Sequence, residues 1–334
     1  MGRRGFLFLL CLSACSASGF PYDPDAEEGV HGGVDVEWWY HFGWLTDEDG
    51  GEWTCFSSFF RTRYKGAGGF RYLIHDLTDL KTGKGEYRGK VGGEVLAAAA
   101  LEGRTRQVPD HDFIQGRVME KDGDPLKLVY GADTLDRTGL RAYRLKVGDV
   151  TLELRAVSEP LRVEGTGLTG VERPEDMHYY TIPRLEATGT VRGRKAKGVL
   201  WYDHQWGKSW VGPSLGWSWW GLQLEDGTNV NAVVIRDLRT GEPRKATLTH
   251  DTRVYELHAV PVEFWTSESK VRYPVVWELA GGPLRLRVEP LFKDRERPVA
   301  DDQESIWEGP VRITGTHRGR GYQELVGYAR ERPK

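Results

Sequence analysis

The stretch Trp217-Ser218-Trp219-Trp220-Gly221-Leu222-Gln223-Leu224-Glu225, then Asp226-Gly227, then Thr228-Asn229-Val230-Asn231-Ala232-Val233-Val234-Ile235-Arg236, decides the fold. Aromatic and β-branched runs on either side of an Asp-Gly pair signal a hairpin, because Asp-Gly supplies the positive φ angles of a tight turn. Residues 37–45, the Asp49-Gly50-Gly51 turn and residues 52–61 follow the same plan. Each unit carries a Trp pair (Trp38-Trp39 and Trp219-Trp220), crosses Asp-Gly and ends at an Arg. The echo reads as a duplicated β module, although converging turn chemistry yields the same pattern. A third hairpin is expected from residues 306–316 and 322–329, which flank His317-Arg318-Gly319-Arg320-Gly321.

Helical signal is scarce elsewhere; residues 94–101, with four consecutive Ala, form the one short helix expected. The 334 residues include 13 Trp, 14 Tyr and 42 Gly, a mixture that favours β structure and an apolar or planar ligand. Length alone suggests two domains or one large β domain. The expected fold class is therefore all-β with very little helix: two antiparallel β-barrels side by side, closed or nearly closed to protect their strand edges. The boundary is placed between 31–207 and 208–334. A formal net charge of -3 argues against an electrostatic grip on nucleic acid.

The N-terminus reads as an address. Arg3-Arg4, the apolar run 6–10 and Leu12-Ser13-Ala14-Cys15 make an export signal over residues 1–14. The last four residues resemble a bacterial lipobox, which would leave Cys15 as a lipid-modified first residue. Arg3-Arg4-Gly5-Phe6-Leu7 also resembles a twin-arginine signal. The expectation is an exported bacterial lipoprotein held at a membrane of the cell envelope, with residues 15–33 as a flexible tether. Of three Cys, only Cys55 then remains in the body, as a core residue without a disulfide.

Two motifs match by letter and fail by context. Gly165-Thr166-Gly167-Leu168-Thr169-Gly170 fits a dinucleotide fingerprint, but Pro174 arrives where a helix should run. Gly212-Pro213-Ser214-Leu215-Gly216 fits a nucleophile elbow, yet a strand rather than a helix should follow. No zinc spacing is present, and no metal or other cofactor is expected.

Residues 176–220 carry the chemistry. A strand over 185–191 turns at Arg192-Gly193-Arg194-Lys195 and returns to Asp203-His204-Gln205-Trp206-Gly207. A turn centred between Gly193 and Arg194 would bring Arg184 opposite Asp203, with His178 and Tyr180 near the same end. Burial among indoles would keep Asp203 protonated, and aromatic faces would stabilise a cation. The expected catalytic set is Asp203, His178 and His204. The expected ligand contacts are Trp201, Tyr180, Trp206, Trp217, Trp219, Trp39 and Glu37. The competing reading pairs Asp203 with Arg184 and uses the Trp residues as barrel filling.

Three segments carry a resemblance to a known family: Glu37-Trp38-Trp39-Tyr40 with Phe59-Phe60-Arg61; Asp203-His204-Gln205-Trp206-Gly207; and Trp307-Glu308-Gly309 with 321–328. The chain resembles the carotenoid 1,2-hydratase/AttH-like proteins, the lipocalin-like "predicted secreted hydrolases". The resemblance implies two lipocalin-like barrels with a site near their junction. In the hydratase branch an Asp protonates an isoprenoid double bond and water captures the cation; Asp203 best matches that acid, with His178 and Trp201 as partners. Gln205 stands where many relatives have Glu. The leading function is acid–base chemistry on an apolar isoprenoid or acyl ligand. A non-catalytic carrier of such a ligand is the alternative, and an envelope interaction protein the third.

Overall fold

The computed structural model describes residues 21–64, 67–92, 112–115, 117–120, 123, 125–208, 214–298 and 305–328. The signal segment, Cys15 and the helix expected over 94–101 lie outside them. Among the described residues there are two curled, antiparallel-dominated sheets, of thirteen and ten strands, forming two lipocalin-like barrels. The first sheet runs to Gly207 and the second begins at Leu215.

At the centre of the first sheet, the strand Arg194–Gly207 lies between Val36–Asp47 and Met177–Val191. At the centre of the second, Leu215–Leu224 lies between Asn229–Asp237 and Gly319–Val326. The two Asp-Gly hairpins thus sit at equivalent, central places. The third hairpin turns earlier than expected: its return strand starts at Gly319. The fingerprint at 165–170 leads through a short 3-10 turn, Pro174–Asp176, into a strand, and Ser214 likewise precedes a strand. Neither motif meets the helix that its chemistry needs.

Strand alternation sorts side chains into three large apolar clusters and a small one of Leu161, Val163 and Tyr179. Trp39, Phe59, Tyr143, Leu152, Ile182 and Leu200 fill the first barrel, with Cys55 among them. Trp220, Leu222, Tyr273, Leu286 and Trp307 fill the second. Between the barrels lies a seam of Tyr40, Phe42, Phe56, Trp201, Trp219 and Tyr322. Aromatic side chains of this kind bury roughly 150–250 Å2 each, so the seam binds the barrels together. Gly221 lets it close: a Cβ there would come within 2.9 Å of the Phe42 ring.

The expected tether is corrected for residues 21–33. Glu28 and Val30 are buried, and Val30 bridges to Gly123. Three tyrosine hydroxyls (Tyr143, Tyr180 and Tyr202) donate to Glu28 at 2.6–2.7 Å. A polar segment reads as a linker when its buried partners are more than a hundred residues away.

Candidate functional site

Register decides which predicted residues meet. The turn is Arg192-Gly193, both at positive φ (50° and 77°), so Val191 pairs with Arg194. A bulge between Ile182 and Leu185 then shifts the pairing by one more residue. Asp203 is therefore flanked by Thr181 on one side and Tyr40 on the other. Arg184 does not face it. The Arg184 guanidinium reaches across to the second barrel, donating to Asn229 Oδ1 at 3.0 Å and to the Leu224 carbonyl at 2.8 Å.

Alternation along Arg194–Gly207 splits the predicted set in two. Trp201 and Asp203 face the inter-barrel seam, where Trp217 and Trp219 meet them. His204, Trp206, Tyr180 and Trp39 face the interior of the first barrel, with Glu37 hydrogen-bonded to His204. His178 pairs with Trp206 and stacks on it at 5.1 Å. His178 and His204 are consequently not partners of Asp203.

The seam holds three carboxyl groups: Asp203 and Glu308, which are buried, and Glu324, which is half-buried. Trp201 Nε1 donates to Asp203 Oδ1 at 2.7 Å. Burial pushes the Asp203 carboxyl up to about 7, and bonding from Trp201, Thr181 and Tyr179 offsets only part of this. Tyr40 donates to Glu308 Oε1 at 2.6 Å, while Glu308 Oε2 is buried with no hydrogen-bond partner. Burial, then the nearby Glu324, pushes Glu308 well above the usual carboxylate range. Trp217 Nε1 donates to Glu324 Oε2 at 3.1 Å, and burial pushes Glu324 up to about 7. Asn231 Nδ2 donates to Tyr179 Oη at 2.9 Å across the seam. The result is a ring of protonatable acids, phenols and indoles built from both barrels.

The interior face has a different character. Glu37 Oε1 lies 2.7 Å from His31 Nδ1 and 3.0 Å from His204 Nε2, while Arg61 Nε donates to Oε2 at 2.9 Å. Burial would raise Glu37, but bonding to His204 and His31 wins and holds it down at about 2. Burial lowers His204 to about 4 against the pull of Glu37. His41, one row further in, is buried with neither ring nitrogen bonded and is held down at about 3 by burial.

Glu28, His31, Tyr40, Tyr179, Glu308 and Glu324 were not singled out from the sequence. For Tyr40, Glu308 and Glu324 a signal existed, because they lie inside the Glu37-Trp38-Trp39-Tyr40, Trp307-Glu308-Gly309 and 321–328 motifs. For the others, only the pairing of distant strands reveals a role.

Fold and site together define a double-barrel, lipocalin-like protein with an acid-rich aromatic junction. The chain belongs to the AttH-like family, whose model matches residues 17–328. Among solved structures it is similar to an AttH candidate from Nitrosomonas europaea, at 24% identity and a TM-score of 0.75, covering 93% of this chain and 98% of that one. It is also similar to kievitone hydratase from Nectria haematococca, at 18% identity and a TM-score of 0.68, covering 94% of each chain. Among curated proteins, no sequence matches the chain.

Proposed function

We propose that the junction is an acid–base site acting on an apolar isoprenoid or acyl ligand, with hydration of a double bond as the leading reaction. The observation that carries this reading is Asp203: a buried carboxyl, held by Trp201, in a seam lined by aromatic rings from both barrels. In the reaction, the Asp203 proton passes to one alkene carbon and the charge develops on the other. The faces of Trp201, Trp217 and Trp219 stabilise that cation. Water adds to it, and its surplus proton returns to a carboxylate, restoring the acid. Hydrolysis of an acyl bond would use the same acid to protonate the carbonyl or leaving group. Kievitone hydratase, a structural neighbour, is a hydratase by name, and its likeness in fold is compatible with this class.

A simple carrier would use the aromatic walls but has no need for the buried acids Asp203 and Glu308, each of which carries a desolvation cost when ionised. Export and anchoring through Cys15 form part of the proposal and place the site in the cell envelope. Native mass spectrometry of protein extracted from its own host would identify the ligand. Turnover by Asp203→Asn with that ligand then tests the reading.

A further inference from the structure

At the mouth of the first barrel, on the face of the central strand away from Asp203, three side chains converge. His31 Nδ1 and His204 Nε2 lie 2.7 and 3.0 Å from the same Glu37 oxygen, Oε1. The candidate ligand atoms of the three residues all lie within 4.8 Å of one another. The Glu37 and His204 side chains are fully buried, and His31 is mostly buried. No two of the three are closer than six positions in the chain, so no metal-binding spacing is visible in the sequence.

The far side of each ligand is already held. His31 Nε2 lies 2.9 Å from Glu27 Oε2; a neutral His31 with its proton on that nitrogen has a lone pair on Nδ1. Tyr180 has one hydroxyl proton and gives it to Glu28 Oε2 at 2.7 Å. With that proton committed to Glu28, its oxygen accepts from His204 Nδ1, 3.3 Å away, in the tautomer that has a lone pair on His204 Nε2. Glu37 Oε2 accepts from Arg61 Nε at 2.9 Å, and the His31 backbone N–H is shared between Oε2 at 3.1 Å and Oε1 at 3.3 Å, so Oε1 is the less occupied oxygen. On this assignment each nitrogen turns a lone pair toward the Glu37 carboxylate, and a cation between them would relieve that repulsion. Outer partners that fix ring orientation and tautomer are what accompany metal-bound histidines.

We propose that His31, Glu37 and His204 form a binding site for a divalent transition metal of the zinc type, separate from the acid junction. Two imidazoles and a one-toothed carboxylate suit that ion, with bonds of about 2.0–2.2 Å. Tetrahedral bonds of that length set ligand atoms about 3.3–3.5 Å apart, so the present contacts need to open by roughly half an ångström. The ion would tie residue 31 to two central strands and so clamp the 21–33 segment over the barrel mouth. Protonation of both histidines is the competing way to satisfy Glu37.

Metal uptake by the full chain separates the two. The protein is stripped with chelator, loaded with Zn2+ or Co2+, desalted, and assayed for bound metal by mass spectrometry. The proposal expects about one ion per folded chain, a rise in melting temperature on adding Zn2+, and four-coordinate Co2+ absorption. His31→Ala, on the loop segment, and Glu37→Gln should each reduce uptake to less than about a tenth. Circular dichroism checks that His31→Ala remains folded. Folded wild-type protein that retains no ion, or variants that retain as much as wild type, would overturn the site.

Discussion

Asp203 and His204 are adjacent in the chain, yet Asp203 is bonded to Trp201 in the seam between the barrels while His204 faces Glu37 inside the first. One peptide bond thus separates two chemical environments. In the seam, burial raises the carboxyl groups; inside the barrel mouth, histidines and Arg61 hold Glu37 ionised. The relationship follows from the two-residue period of a strand whose two faces are both covered.

Asp203→Asn keeps the shape and most hydrogen bonding but removes the transferable proton. Turnover should fall by about 10²- to 10⁴-fold, the usual contribution of a general acid, while ligand affinity stays near wild type. Thermal stability, binding and turnover are measured on one preparation. Full turnover in a normally folded variant would remove Asp203 from the reaction.

Tyr40→Phe tests the seam. The ring remains, but Glu308 Oε1 loses its donor while Oε2 already lacks one. A buried acceptor left unpaired costs about 1–3 kcal/mol, so the denaturant midpoint should drop accordingly. An unchanged midpoint would show that the Tyr40–Glu308 bond does not help to hold the barrels together.

Glu28 supplies a pH dependence with a definite sign. Burial, against donors from Tyr202, Tyr180 and Tyr143 and the field of Arg137, pushes it from 4.5 up to about 7. The folded state therefore binds its proton more tightly than the unfolded state. Its contribution is fully present below about pH 4.5 and declines as pH rises towards about 7, by up to about 3 kcal/mol. Melting at pH 5 and pH 8 should show a smaller loss in Glu28→Gln than in wild type. Equal losses would exclude Glu28 as a source of the slope.

Cys15→Ser should abolish lipid attachment if Leu12-Ser13-Ala14-Cys15 is a lipobox. Metabolic labelling with palmitate checks this directly. Undiminished label in the variant would refute the anchor.

The sequence by itself determined the two Asp-Gly hairpins, the all-β class and the family, because turn chemistry and Trp-rich motifs are local. It also carried Asp203, Trp201, Trp217 and Trp219 to one aromatic site. Tertiary structure decided the rest. The turn at Arg192-Gly193 and a bulge near Arg184 reset the register and put Thr181 beside Asp203, while pairing with Val36–Asp47 put Tyr40 on its other side. Barrel-on-barrel packing brought Glu308 and Glu324 to the seam, and closure of the first barrel brought Glu28 and His31 to distant tyrosines, Glu37 and His204. Alternation is written into any strand, but which face is buried, and against what, depends on residues more than a hundred positions away. That is why Asp203, His178 and His204 read as one site in the chain and stand in two places in the fold.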